Sequence, residues 1–375
     1  QKAALAAITA LRFGSEDYFF VLDAQGHLIA NAFNAKNVGK QVLDQTDVPG
    51  GKRYFAEMVE TARLAEHGKM DFLFLADSAA VSTAGSADQR RRMGKVVKFE
   101  PMTVLSALAA VTKNLGLVAT STTTFNEPYT LARQFASLDQ ISGGRAAWNL
   151  VTSNNEGDAL NYSREQHMAH ADRYDRAIEF ADVVTGLWDS WDIDAFSRDQ
   201  QSGISFDPDR QHVLNHKGKH FQVKGPLNVP CSPQGRPVLV QAGASGTGRD
   251  VAARFAEVVF TAQTTFEQGK EFYADVRERL PAFGRRQEEV LVMPGFYPVV
   301  AATQSEAQEK YDYLQSLIQK PVGIAILVHV PMETLRLGIS VIILGLVGII
   351  ASGWRYTGTP RLPLTLAVGA ASGAL

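Results

Sequence analysis

Between Val238 and Asp250 the chain reads VLVQAGASGTGRD, an apolar strand-like run that dissolves into small neutral residues ahead of an Arg-Asp pair. Small side chains let backbone N–H groups approach a ligand closely. A helix starting just afterwards points its positive dipole end at the same spot, so the chemistry indicated is capture of an anion, a phosphate first of all. Gly243 to Gly248 satisfies the glycine spacing of a P-loop, but Arg249 and Asp250 stand where that motif needs Lys and Ser/Thr. Read from Gly246, the string Gly-Thr-Gly-Arg-Asp-Val lacks the third glycine of the dinucleotide fingerprint, and no acidic residue closes a following strand about 20 residues on. What remains is a phosphate cup without triphosphate chemistry, or an ordinary strand-to-helix loop.

Other residues able to do chemistry fall at the ends of predicted strands: Asp77, then Thr120, Ser121 and Thr122, then Thr152, Ser153 and Asn154, then Gly243 and Ser245. A ring of small polar groups with one carboxylate suits a polyol phosphate better than an acid/base pair. The alternative for each is local: Asp77 as a helix N-cap, the Thr/Ser cluster as turn hydrogen bonds. His170 and Tyr174 are four apart, which puts both on one helix face within reach of a phosphate or a flavin edge. His167 makes a helical HxxH pair without carboxylate company, an incidental pattern. His212, His216 and His220 would share one face of a helix, but Gly218 and strand-like flanks predict surface residues of a hairpin and no metal site. GASGTG lacks the spacing of a hydrolase elbow, and no Ser-His-Asp order emerges. No catalytic side chain is singled out, and a site rich in binding groups but poor in catalysts leaves the hard step to a cofactor.

These residues need a scaffold that gathers strand ends. From about 52 to 318, apolar runs of strand length (71–77, 115–122, 145–153, 237–245, 257–262 and 291–301) alternate with segments of helical period, which predicts parallel βα units in a barrel or doubly wound sheet. The runs are nearly continuous in hydrophobicity, as in strands covered on both faces. Gly143-Gly144 predicts a helix C-cap. An excursion over 195–236 reads as a β-hairpin.

With 375 residues, 45% of them hydrophobic, the chain can bury an enzyme-sized core. Its formal net charge of −2 gives no basic field for nucleic acid, and one cysteine, Cys231, excludes an internal disulfide and a cysteine metal cluster. Leu337 to Trp354 carries no charge and has the length of a membrane span, with a buried helix as the alternative.

The stretches NEPYTLARQFASLDQISGGRAAWNLVTSNNEGDALNYS, HADRYDRAIEF, HKGKHFQVKGPLNVPCSPQGRPVLVQAGASGTGRD and FTAQTTFEQGKEFY closely resemble the nitrilotriacetate, EDTA and dibenzothiophene-sulfone monooxygenase group of bacterial luciferase-like flavoproteins. The resemblance covers roughly 52–318. It implies an α/β TIM-type (β/α)8 barrel and a cytoplasmic monooxygenase that takes reduced FMN from a separate flavin reductase and uses O2 to oxygenate a small organic substrate. Carried over, it implies FMN contacts from Asp77, Thr120, Thr122 and Asn154, and a phosphate site from His170, Tyr174, Ala244 and Ser245. Ala244 stands where many relatives carry a second polar residue.

The ends depart from the pattern. The family's first strand has no counterpart before residue 52 and its last strand none after about 320, so an incomplete barrel is expected, with FFVLDAQ (19–25) and VGIAILVHV (322–330) as replacement strands. Residues 1–48 resemble a Cache sensor fragment, and 334–375 a membrane segment. The alternative function is therefore a membrane-anchored sensor or binding protein, or a non-functional chimera with an inactive barrel; a homo-oligomer stays open.

Overall fold

The computed structural model describes residues 20–22, 28–31, 54–81, 87–91, 97–263, 265–296 and 298–317. Two short strands, β1 (Phe20–Leu22) and β2 (Leu28–Asn31), pair antiparallel in a ribbon of their own. The described residues of FFVLDAQ, Phe20–Leu22, therefore pair with Leu28–Asn31 and do not join the main sheet as a replacement strand. The other proposed replacement, 322–330, and the apolar run 337–354 lie outside the described residues. No helix among the described residues is long and apolar enough to cross a membrane.

After α1 (Tyr54–His67) comes β3 (Phe72–Leu75), the first strand of a six-stranded sheet. A short helix, α2 (Ala87–Arg90), precedes α3 (Pro101–Ala109), and then come β4 (Gly116–Thr122), α4 (Pro128–Ser142) and β5 (Ala146–Val151). Next are α5 (Glu156–Asn161), the long α6 (His170–Trp188) and a hairpin of β6 (His216–Lys217) and β7 (Gln222–Val223). The chain rejoins the sheet at β8 (Val238–Gln241), continues through α7 (Gly246–Phe255), β9 (Val258–Thr261), α8 (Phe266–Arg279) and β10 (Leu291–Pro294), and ends its described part with α9 (Gln304–Ser316). The strand order is β10-β9-β8-β5-β4-β3, and every neighbouring pair is parallel. Among the described residues this is an incomplete TIM-type barrel of six strands, as expected. The last strand is shorter than the run 291–301: it ends at Pro294, with the Gly295 N–H donating to the Thr261 carbonyl at 2.7 Å.

The chain divides into two compact units: one of residues 1–82 and 97–298 holds the sheet, and one of residues 83–96 and 299–375 holds α2 and α9. In that second unit, Thr303 caps α9 by accepting from the Glu306 N–H at 3.2 Å.

Strand parity divides the sheet's two faces. Ala146, Trp148 and Leu150 point toward the helices and join the main core, while Ala147 lies with Val118, Val240 and Val258 in a smaller cluster on the other face. Trp148 is fully buried, its ring 6.0 Å from Phe135, 5.9 Å from Phe180 and 6.3 Å from Trp188, and its indole N–H donates to the Ser121 carbonyl at 2.9 Å. One side chain thus packs α4 and α6 on the sheet and fixes the end of β4. The helix α4 stops where the sequence predicts: Gly143 is left-handed at φ 70°, and the Gly144 N–H returns to the Asp139 carbonyl.

Candidate functional site

At the carboxyl ends of β3, β4, β5 and β8 lies a cleft of about 600 Å³, within the range of pockets that bury small ligands. All eight residues expected to hold a ligand line it: Asp77, Thr120, Thr122, Asn154, His170, Tyr174, Ala244 and Ser245. Strand-end placement does this, since consecutive parallel strands put their carboxyl termini side by side.

The end formed by β8 and α7 is lined by small residues and the start of a helix. Ser245 is the N-cap of α7, its hydroxyl oxygen accepting from the Gly248 N–H at 3.0 Å. The cap leaves the hydroxyl proton and the first N–H groups of the helix, Gly246 and Thr247, without an intrahelical partner. A Cβ at Gly243 would lie 3.1 Å from the Gly248 Cα, and one at Gly248 would lie 3.1 Å from Gly243, so glycine at both positions lets the turn close on itself. The Gly243 N–H is already engaged, donating to Gln241 Oε1 at 2.6 Å, so the cup is carried by the helix start rather than by every amide of the loop. The Arg-Asp pair that ends the motif faces elsewhere: Arg249 pairs with Asp275 at 2.7 Å and Asp250 with Arg279 at 2.5 Å, tying α7 to α8.

His170 and Tyr174 reach the same cleft from the start of α6, with ring centroids 4.8 Å apart. His170 is exposed and Tyr174 buried. Ala169, the N-cap, offers no side-chain acceptor, so the first N–H groups of α6 also lack a cap. Arg176 holds this helix in place, donating to the Thr123 carbonyl and, at 3.2 Å, to the Asn126 carbonyl, with its guanidinium 4.6 Å from the Phe221 ring. Burial lowers the Arg176 pKa.

The opposite wall carries three carboxylates, of which two are spent. Glu100 caps α3, accepting from the N–H groups of Met102 at 2.8 Å and Thr103 at 2.7 Å. Asp158 is buried and accepts from the Ala80 N–H at 2.8 Å and from the Ser153 hydroxyl. Asp77 caps no helix and has no hydrogen bond or ion pair among the described residues, so its carboxylate stays available to a ligand donor. The phenol of Tyr162 lines the same wall, stacked on Phe125 at 4.7 Å. Partial burial and then the charges of Asp158, Asp77 and Glu100 raise its pKa.

The Thr/Ser cluster serves the turns as well as the cleft. Thr122 Oγ1 accepts from the N–H groups of Thr124 and Ser153, at 3.1 and 3.0 Å, and so joins the loops after β4 and β5. Thr120 is buried and accepts from the Asn149 side-chain amide at 2.9 Å. Asn154 is exposed at the rim.

Sequence reasoning missed Asp158, Tyr162 and Gln241 as cleft residues. Asp158 could have been found as an acidic group in the first turn of a helix directly after a strand-end cluster. The three spaced histidines lie in and around the expected hairpin, and each meets its own carboxylate: His212 with Asp192, His216 with Glu179 and His220 with Asp175, at 2.9, 2.9 and 2.7 Å. His216 and His220 are mostly covered rather than free surface residues, because Glu179 and Asp175 of α6 draw them in. No group of three or more His, Cys, Asp or Glu able to hold a metal ion occurs among the described residues.

A family model described as luciferase-like monooxygenase matches residues 35–334. The chain belongs to this family. The luciferase-like match begins inside the Cache-like segment expected over 1–48 and runs past 318. The N-acetyl-S-(2-succino)cysteine monooxygenase of Bacillus subtilis (strain 168) is 51% identical over 274 residues, covering 73% of this chain and 60% of the relative. Nitrilotriacetate monooxygenase component A of Aminobacter aminovorans is 51% identical over 282 residues, covering 73% and 61%. A riboflavin lyase, solved with modified FMN and riboflavin, superposes with a TM-score of 0.69 at 34% identity, covering 74% of this chain and 64% of the other. The chain spans about three fifths of the length of the two luciferase-like relatives.

Proposed function

We propose that the cleft binds FMN in its reduced form and that the chain is the oxygenating component of a two-component monooxygenase, supplied by a separate flavin reductase and acting on a small organic substrate. One observation carries this reading: a single cleft joins an uncharged, amide-rich anion cup to a carboxylate with no partner among the described residues. A phosphate at one end and a ring system bearing N–H donors at the other match that donor set. Family membership and the monooxygenase names of the relatives support the same conclusion.

Bound reduced FMN would supply the electrons that let one atom of O2 enter the substrate while the other leaves as water. The protein's part is to bind, orient and keep water out. The Ser245 hydroxyl and the first N–H groups of α7 would hold the phosphate, with His170 and Tyr174 closing over it. Asp77 would accept from the flavin ring, and Tyr162 on Phe125 would give an apolar wall with a protonated phenol at its edge. Among the described residues no hydroxyl of the cleft is hydrogen-bonded to a histidine base, which agrees with chemistry performed by a cofactor.

The test is oxygen uptake by the purified chain coupled to a flavin reductase, with nitrilotriacetate, N-acetyl-S-(2-succino)cysteine and dibenzothiophene sulfone as trial substrates. Substrate-dependent uptake with an oxygenated product is expected. Uptake that yields only hydrogen peroxide with every substrate would reject the monooxygenase reading.

A further inference from the structure

Among the described residues Asp77 is the one carboxylate of the cleft left to a ligand, yet no hydrogen bond of its own fixes it. The residues that follow it are held instead. Asp158, 3% exposed, accepts from the Ala80 N–H through Oδ1 at 2.8 Å and from the Ser153 hydroxyl through Oδ2. Asn155, the N-cap of α5, donates to Ser78 Oγ at 3.2 Å and to the Ala80 carbonyl at 3.5 Å, while Asn161 donates to the Ala79 carbonyl at 3.5 Å. Gly157 closes the contact: a Cβ there would lie 3.1 Å from the Ala80 Cβ.

A buried carboxylate is costly unless both oxygens are satisfied. Here they are satisfied by groups from two different loops, those after β3 and β5. Asp77 is thus gripped on one side by β3 and on the other by three residues tied to α5.

We propose that Asp158 is a positioning residue, which through the first turn of α5 sets where the loop after β3 presents Asp77 to the cofactor. This rests on the flavin reading of the cleft. Displacements of about 0.5 Å are enough to spoil a preorganised contact, so the link matters to binding through the place it gives Asp77.

The test is a double-mutant cycle on the full chain, read as the dissociation constant for oxidised FMN from quenching of flavin fluorescence. Asp158→Leu removes both acceptors and is expected to weaken FMN about tenfold, the scale of one lost charge-assisted hydrogen bond. Asp158→Asn keeps an acceptor for Ala80 and a partner for Ser153, and should recover most of that loss. In an Asp77→Ala background, Asp158→Leu should weaken binding no further, because its effect passes through Asp77.

Additive losses, or no loss from Asp158→Leu, would overturn the positioning role while leaving the flavin reading intact. A wild-type chain that binds no FMN would remove both. Should Asp158→Leu fail to fold, Gly157→Ala takes its place in the cycle with the same two outcomes, since its methyl presses on Ala80 without removing a hydrogen bond.

Discussion

Ser245 holds two duties that a single substitution separates. As N-cap it needs only an acceptor for the Gly248 N–H, and Asp caps a helix as well as Ser. As part of an anion cup it must not be negative. Ser245→Asp is therefore expected to leave the melting temperature of the cofactor-free protein within about 1 °C of wild type, as befits a neutral cap exchange. It should also abolish the rise that FMN produces, and differential scanning fluorimetry with and without FMN checks both halves. At the same scale, Glu66 accepts from the N–H groups of Lys113 at 2.7 Å, Asn114 and Leu115 at 3.1 Å, and the Asn114 bond is the first cause of its lowered pKa. A carboxylate depressed in the folded state contributes stability above its unfolded pKa and loses it as pH falls through the folded one. The wild-type melting temperature should thus fall more steeply than that of Glu66→Gln as pH drops below the ordinary glutamate range; parallel curves would mean that the turn before β4 does not depend on this charge.

Among the elements, β5 and α6 have the most consequence. Trp148 touches aromatic rings from both α4 and α6, so Trp148→Ala should cost about 3–5 kcal/mol in denaturant unfolding and loosen the helix that carries His170 and Tyr174. The hairpin is locked to the same helix: a Cβ at Gly218 would fall 2.1 Å from Glu179 Oε1, the carboxylate that also accepts from His216 and the N–H groups of His220 and Phe221. The strands and their parallel order were legible because continuous apolar runs alternate with helical periods, and the cleft was legible because parallel strands gather their ends. The hidden parts depend on long-range pairing. Nothing in NNEGDALN says that Asp158 will meet Ala80, 78 residues earlier, and nothing in the histidine spacing shows that α6 supplies a carboxylate to His216 and His220. Thr122 was read as a ligand group with turn bonding as the alternative, and its Oγ1 does join the loops after β4 and β5, while Thr120 bonds across the two strands to Asn149.

For the whole molecule, cofactor binding is a stability term. A ligand at 100 times its dissociation constant stabilises the folded state by about 2.7 kcal/mol, so FMN should raise the melting temperature of the wild-type chain by several degrees. The central claim is more specific: the cleft grips FMN by its phosphate at the start of α7. Riboflavin is the same ring and ribityl chain without that phosphate, so the direct measurement is the ratio of the two dissociation constants by fluorescence titration. A preference of at least tenfold for FMN, lost in Ser245→Asp, is expected from one or more charge-assisted hydrogen bonds. Equal affinities for FMN and riboflavin, or a preference that survives in Ser245→Asp, would contradict the account.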